Sequence, residues 1–187
     1  MHYCTIVITK EFPTDDVLSK ALAPFNEEEY YASEGTIPRP IFTWDYWIIG
    51  GRYSGSIKLT VDKNNEEYEW PYMANKSRAG RLFRSSMLEM IEHLMKQSRY
   101  SYYNEEEFFG NMGFDDGFLY VDACKIKDIK NLDKLTCYSF IDKTGKGFTR
   151  SYFDGEEFID NSNFDEQFKE ALQNSQDCYA CIVDLHD

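Results

Sequence analysis

Long apolar stretches are missing from this sequence. Nowhere among its 187 residues does an apolar run approach the roughly 18 positions that a membrane-spanning helix needs. The first residues alternate in the manner of a strand and have no basic start followed by an apolar core, so we expect no signal peptide. These absences predict a cytoplasmic protein with no membrane partner.

Motifs that bind metals or cofactors are also missing. The three histidines are far apart and no H-E-x-x-H occurs, which argues against a zinc enzyme. The five cysteines are an odd, scattered set rather than a disulfide framework. Cys178 and Cys181 form a C-x-x-C pair, but a strand points residues three apart to opposite faces. The sequence therefore predicts no bound metal and no cofactor.

Positive charge is scarce. Lys and Arg number 20 against 33 Asp and Glu, which gives a formal net charge of −13. Such a charge opposes non-specific binding to a phosphate backbone and adhesion to anionic membranes. It favours a basic protein partner that is reached by electrostatic steering. The alternative is that the acidic residues only keep a small protein in solution.

Aromatic side chains, in contrast, are abundant. They make up 17 % of the chain and apolar residues 42 %, a composition typical of a packed fold rather than of disorder. The length suits one sizeable core, and no linker or low-complexity tract divides the chain. We therefore predict a single domain over residues 1–187.

Hydrophobic periodicity predicts the secondary structure of the first half of the chain. A strand covers Tyr3–Thr9, and a helix begins at Pro13-Thr14 with Thr14 as its N-cap. The elements predicted after this helix are a loop over Asn26–Pro40, a hairpin of Ser56–Val61 with Glu66–Tyr72, and a long helix over Ala79–Ser98.

The second half of the chain is predicted to close on a strand beside the first one. The elements predicted there are a strand over Phe118–Cys124, a hairpin of Thr136–Ile141 with Phe148–Phe153, a helix opened by a Ser162–Asp165 capping box, and a strand over Cys178–His186. This order predicts an α+β fold, with a mostly antiparallel sheet and helices packed on one face. We expect a ferredoxin-like core with insertions, which places the first and last strands near each other.

The most unusual segment runs from Trp44 to Gly55 and has the sequence W-D-Y-W-I-I-G-G-R-Y-S-G. Its two adjacent glycines allow a sharp turn, after which Arg52 projects among aromatic side chains, a setting suited to a carboxylate or phosphate. The alternative is structural, with an Arg–Asp pair pinning the turn and both tryptophans in the core. The candidate binding residues are Trp44, Asp45, Tyr46, Trp47, Arg52 and Tyr53.

A second candidate site combines the first and last strands. Asp184 and His186 share a strand face because they are two residues apart, and a carboxylate beside a histidine can set its tautomer. If the two strands are neighbours, His2 can approach His186. The alternative is that histidines so placed are ordinary surface residues. The candidate catalytic residues are His2, Arg52, Asp184 and His186.

Two histidines and an arginine suffice for metal-independent cleavage of RNA. One histidine takes the proton of the 2′-hydroxyl, the other protonates the leaving oxygen, and the arginine stabilises the charged phosphorane. If the chain is an enzyme, this chemistry predicts a ribonuclease.

Three segments together resemble a family of small bacteriophage and prophage proteins. They are the opening strand from His2, the block from Trp44 to Gly55, and the closing Val183-Asp184-Leu185-His186. That family carries a W-D-W-Y-x-x-G-G-R-W-S-G block and a last strand that ends in Val-Asp-x-His. Here the order of Tyr46 and Trp47 is inverted, and Tyr53 stands where tryptophan is common.

The resemblance implies a gene on a mobile element and a role against host defence, in the cytoplasm of the host cell. Small acidic phage proteins of this kind include anti-CRISPR proteins aimed at type II RNA-guided nucleases, which hold guide RNA and DNA in positively charged channels. Such an inhibitor would either bind the nuclease and its guide complex or cleave the guide RNA. The resemblance brings no catalytic residue with it.

Two other functions are compatible with the sequence. One is a small-molecule or phosphometabolite-binding protein or enzyme that uses the Arg52 turn, with Trp44 and Trp47 lining a pocket. The other is a structural phage protein that self-assembles.

Overall fold

A computed structural model describes residues 1–34, 40–53, 55–60, 68–69, 84–85, 118–153 and 156–187. The described helices and strands are β1 (His2–Thr9), α1 (Asp15–Leu22), α2 (Glu27–Ala32), β2 (Tyr46–Ile49), β3 (Ile57–Thr60), β4 (Tyr68–Glu69), β5 (Arg84–Ser85), β6 (Phe118–Val121), β7 (Ala123–Lys125), β8 (Ser139–Ile141), β9 (Gly147–Thr149), β10 (Ser151–Phe153), β11 (Phe158–Asp160), α3 (Phe164–Gln173) and β12 (Tyr179–His186). Within these ranges no helix combines the length and the apolar character needed to cross a membrane.

The fold is organised around β1 and β12, which lie side by side in the central sheet. They pair antiparallel along their whole length, from His2 opposite His186 to Thr9 opposite Tyr179. The strand order is β2-β12-β1-β8-β9, and β7 also pairs with β12. Among the described strands of this sheet, β1 and β8 pair parallel and the other pairs are antiparallel. The predicted α+β class, the mostly antiparallel sheet and the adjacent first and last strands are confirmed. The ferredoxin-like connectivity stays a prediction.

Helices cover both faces of the sheet, so the predicted single helical face is wrong. Alternate side chains of β1 and β12 enter two different apolar clusters. Ile6 and Ile182 pack with Phe168 of α3, whereas Val7 and Val183 pack with Leu18 of α1. The central strands are buried on both faces, and each face therefore needs its own helix as cover.

Several local predictions are confirmed for the first helix and its neighbours. The Thr14 hydroxyl accepts the Val17 amide at 3.3 Å and caps α1 as expected. The predicted loop over Asn26–Pro40 is wrong in part, because Glu27–Ala32 form α2. Asn26 caps α2 by accepting the Glu29 amide, and the glutamates of its first turn suit the positive end of the helix dipole.

The predicted hairpin of Ser56–Val61 with Glu66–Tyr72 is wrong in its pairing. β3 pairs antiparallel with β6, so that Ile57 lies opposite Val121. Tyr68–Glu69 pair instead with Arg84–Ser85. Arg84 and Ser85 were predicted to be helical, but they form a strand because their backbone pairs with β4. The rest of the predicted helix over Ala79–Ser98 lies outside the described residues.

The predicted strand over Phe118–Cys124 is divided at Asp122, because the chain changes partner there. β6 pairs with β3, whereas β7 pairs with β12. The Asp122 carbonyl accepts the Ile182 amide, and its buried carboxylate accepts the Gly55 amide at 2.7 Å. Asp122 therefore ties the end of the glycine-rich turn to the central sheet.

The second predicted hairpin is confirmed as β8 and β9, but its second arm is broken at Arg150. β10 beyond the break pairs with β11. The predicted Ser162–Asp165 capping box is wrong, because α3 begins after Asn163. The Asp165 carboxylate is bonded to the Arg150 guanidinium at 2.6 Å and is therefore not turned back towards the helix end.

The turn after β2 depends on glycine. Gly50 and Gly51 both have positive φ, and a Cβ on Gly51 would overlap the side chain of Asp184. Gly145, in the β8–β9 hairpin, also has positive φ, but a Cβ there would meet no atom within 4 Å.

This difference predicts unequal costs for two alanine substitutions. Gly145→Ala adds only backbone strain and is expected to lower the free energy of unfolding by about 1–2 kcal/mol. Gly51→Ala adds the overlap with Asp184 and is expected to cost about 3–5 kcal/mol. Urea denaturation of both variants measures the difference. Equal losses would show that Asp184 does not constrain the turn.

Candidate active site

Three neighbouring strands place three rings in one row. His2 of β1 lies opposite His186 of β12, and His186 lies opposite Tyr46 of β2. The two imidazole centroids are 4.7 Å apart, and Tyr46 stacks on His186 at 4.7 Å with an interplanar angle of 20°. The Tyr46 hydroxyl lies 3.5 Å from Nε2 of His2. The prediction that His2 and His186 approach each other is therefore confirmed by the register of the strands.

Each histidine is bonded to a carboxylate through Nδ1. Nδ1 of His2 lies 3.0 Å from Oδ1 of Asp184, and Nδ1 of His186 lies 2.8 Å from Oδ1 of Asp45. A carboxylate accepts, so each Nδ1 donates, and in the neutral ring Nε2 is then the basic atom. Each Nε2 is thereby the atom that can accept a proton, and the two rings are neighbours.

The pairing of carboxylates with histidines differs from the expected one. Asp184 and His186 are two apart on one strand, a separation of roughly 6.8 Å. The ring of His2, on the neighbouring strand, is closer to Asp184 diagonally. His186 takes Asp45 instead, whose backbone amide also donates to the His186 carbonyl at 2.9 Å.

Asp184 is the buried member of the site. It is 3 % exposed, and its second oxygen accepts the backbone amide of Arg52 at 3.0 Å. The turn is therefore pinned by the main chain of Arg52 and not by the expected Arg–Asp side-chain pair. The Arg52 side chain is left exposed at the edge of the site. Tyr53 completes the connection, because its hydroxyl donates to the His2 carbonyl at 3.0 Å.

Burial and the charge of Asp184 raise the pKa values of the groups next to this carboxylate. Burial, followed by the charge of Asp184, raises the pKa of the Cys4 thiol to about 12. Cys4 stays protonated at neutral pH and does not offer a thiolate to the site. Burial also raises the pKa of Tyr53, with Asp184 adding to the rise and the Arg52 charge opposing it.

The two tryptophans lie outside this arrangement. Trp44 and Trp47 pack against the apolar cluster on the other face of the sheet, and the Trp44 indole N–H donates to the Leu22 carbonyl at 2.9 Å. A cavity of about 410 Å³ adjoins both tryptophans. Its lining, which belongs to the described part of the chain, does not include Arg52. The predicted binding residues therefore divide between the two faces.

Asp45 is the residue whose position in the site sequence reasoning missed. The sequence made it a candidate binding residue of the turn, but it bonds His186 from the other edge of β12. Its position one residue before β2 was a possible signal, although only the register of β2 on β12 turns that position into a contact. In the described ranges, no group of three or more His, Cys, Asp or Glu side chains could hold a metal ion.

Comparison with known proteins leaves the site to be interpreted from its own geometry. No family model, no curated protein and no solved structure matches the chain. The resemblance to phage proteins therefore stays an expectation.

The Asp45–His186 bond predicts a measurable titration. Desolvation raises the pKa of Asp45, but the hydrogen bonds from His186 and from the Tyr46 amide outweigh it, so the pKa lies below its usual value. A lowered folded-state pKa stabilises the fold above the usual value near 4, and the contribution is lost as pH falls through the lowered pKa. In His186→Ala we expect the Asp45 pKa to rise, measured by carboxyl ¹³C NMR.

Asp165 is the control within the same spectra. Its pKa is lowered by the hydrogen bond from Arg150, which His186 does not touch. The Asp165 pKa is expected to stay constant in His186→Ala. An unchanged Asp45 pKa beside a constant Asp165 pKa would show that His186 does not hold the Asp45 carboxylate.

Proposed function

We propose that this protein is a phage-encoded anti-defence protein that inhibits a type II RNA-guided nuclease by cleaving its guide RNA at the His2–His186 site. The observation that carries the chemistry is the pair of adjacent imidazoles, each bonded through Nδ1 to a carboxylate. The resemblance to phage proteins supports the choice of an RNA-guided nuclease as the target.

The site holds the groups that cleavage by an internal nucleophile requires. Nε2 of one neutral histidine removes the proton of a 2′-hydroxyl, and the 2′-oxygen attacks the adjacent phosphorus. The other histidine, protonated, gives its Nε2 proton to the departing 5′-oxygen. The products are a 2′,3′-cyclic phosphate and a free 5′-hydroxyl. The Tyr46 hydroxyl, 3.5 Å from Nε2 of His2, can donate to the phosphorane oxygens. The exposed guanidinium of Arg52, whose backbone amide is bonded to Asp184, is the second proposed donor.

Net charge determines which RNA is accessible. A chain of charge −13 repels free RNA, because binding a phosphate backbone needs clustered cations. The same charge attracts a basic protein. An RNA strand already neutralised in the basic channel of a nuclease is therefore a better substrate than the same strand free in solution.

A second candidate is inhibition by binding alone, and it rests on the same charge. An acidic surface that occupies the basic channel would block DNA entry without breaking the guide. In that case the histidine pairs would serve to anchor the turn and would not take part in inhibition.

Asparagine variants of the histidines test the proposal sharply. The side-chain amide of His2→Asn or His186→Asn can donate to the same carboxylate as Nδ1 does, while the Nε2 atom is lost. We expect each variant to cut the guide roughly 10²- to 10⁴-fold more slowly. The assay follows guide length and DNA cleavage together on a denaturing gel, with the nuclease–guide complex and with free guide RNA.

Lys127→Gln is the control, since Lys127 lies beside the start of β12, far from the histidines at its other end. We expect the protein to cleave the guide in the complex and to cleave free guide only slightly. We expect both asparagine variants to lose guide cleavage. Loss of DNA cleavage with an intact guide would establish the binding inhibitor. No effect on guide or DNA would refute both forms and turn attention to phosphorylated ligands at the Arg52 turn.

A further inference from the structure

An aromatic groove lies on the face of the sheet opposite to the histidines. It encloses about 450 Å³ beside Tyr3 of β1, and Tyr138, Phe153 and Phe158 are among its lining residues. Tyr3 and Tyr138 contact each other at 5.5 Å between centroids, and Phe153 and Phe158 do so at 5.4 Å. None of the groove residues was a candidate from the sequence.

Exposed apolar side chains are concentrated at this groove. Seven large hydrophobic residues are exposed in the described part of the chain, and five of them line it. They are Met1, Ile41, Tyr138, Phe153 and Phe158, of which Phe158 is 78 % exposed. Scattered exposed apolar residues are normal, but a contiguous patch with a concave floor is characteristic of a binding surface.

The groove also carries a carboxylate. The carboxylate of Asp187 is part of its lining and accepts the Thr43 hydroxyl at 3.3 Å. The Tyr3 hydroxyl donates to the Thr43 carbonyl, so its oxygen presents no proton to a ligand. Burial raises the pKa of Tyr3, and the charge of Asp187 is the next largest cause of the rise.

A cation with apolar flanks matches this combination. The faces of aromatic rings attract cations, and arginine stacks on them more readily than lysine because its guanidinium is planar and weakly hydrated. A carboxylate at the edge of the groove adds a hydrogen-bonded partner. The Asp187 carboxylate would repel an anionic ligand, and an uncharged apolar ligand would offer it no opposite charge.

We propose that the groove binds an arginine side chain, flanked by apolar residues, from a segment of a protein partner. Asp187 receives the guanidinium, the rings of Tyr138 and Phe158 contact its faces and stem, and the remaining apolar wall takes the neighbouring residues. This inference does not rest on RNA cleavage at the histidines.

The position of the groove leaves the histidine face open. Tyr3 and Asp187 are the sequence neighbours of His2 and His186, and neighbouring residues of a strand face opposite sides. The groove and the candidate active site therefore lie back to back at one end of β1 and β12. A partner held by its arginine can reach round this end of the sheet without covering the imidazoles.

A pair of tripeptides tests the proposal on the intact chain. Acetyl-Leu-Arg-Leu-amide carries the cation, and acetyl-Leu-citrulline-Leu-amide has nearly the same shape without the charge. We expect the arginine peptide to shift the backbone NMR signals of Tyr138 and Phe158 and to bind about fivefold more tightly than the citrulline peptide.

Two exposed substitutions complete the experiment. Asp187→Asn is expected to remove the preference for arginine while the citrulline peptide binds as before, and Phe158→Ser to weaken both peptides. Lys127→Gln is the control and is expected to leave both affinities unchanged. Peptide binding is measured without RNA, so failure of RNA cleavage is scored separately. The proposal would be overturned if the two peptides bound equally or if no NMR signal at the groove shifted. It would also be overturned if the shifts depended only on protein concentration, because the occupant would then be a second copy of this chain.

Discussion

The bond between the buried Asp184 carboxylate and the His2 ring is the interaction on which the site depends. A carboxylate at 3 % exposure is tolerated only when its oxygens are hydrogen-bonded, and its partners come from two separate parts of the chain. One is the first residue of β1 and the other is the Arg52 amide in the turn after β2. The lack of a side chain on Gly51 lets that turn approach the carboxylate. Strand pairing, turn conformation and imidazole orientation are therefore linked through one side chain.

Local sequence patterns correctly predicted the short-range features and the two central strands. Thr14 as a cap, the β8–β9 hairpin and the strands β1 and β12 were within reach, because alternation and capping are properties of a few consecutive residues. The pairing of Ile57 with Val121 was not, because 64 residues separate the two positions and no turn fixes their register. The α2 helix was missed because an acidic run before glycine and proline is typical of a loop.

The candidate site divides in the same way. Side-chain alternation predicted that Asp184 and His186 share one face. The predicted proximity of the first and last strands added His2 to the candidate site. The choice of carboxylate for each ring could not be predicted, since it depends on whether β2 flanks β12 and in which register. Asp45 acquires its role only through that pairing. The aromatic groove was equally hidden, because its walls come from six separate segments that carry no common motif.

The full-length pairing of β1 with β12 also limits how the gene can vary. Insertion or deletion of one residue within either strand would turn the following side chains to the opposite face, exchanging the imidazoles for the groove residues. A change of two residues would preserve the face but move His2 roughly 6.8 Å from its place opposite His186. The imidazole face and the groove therefore depend on the same alternation of side chains along β1 and β12. Length changes between related genes should therefore collect in the connections, while these two strands keep their number of residues.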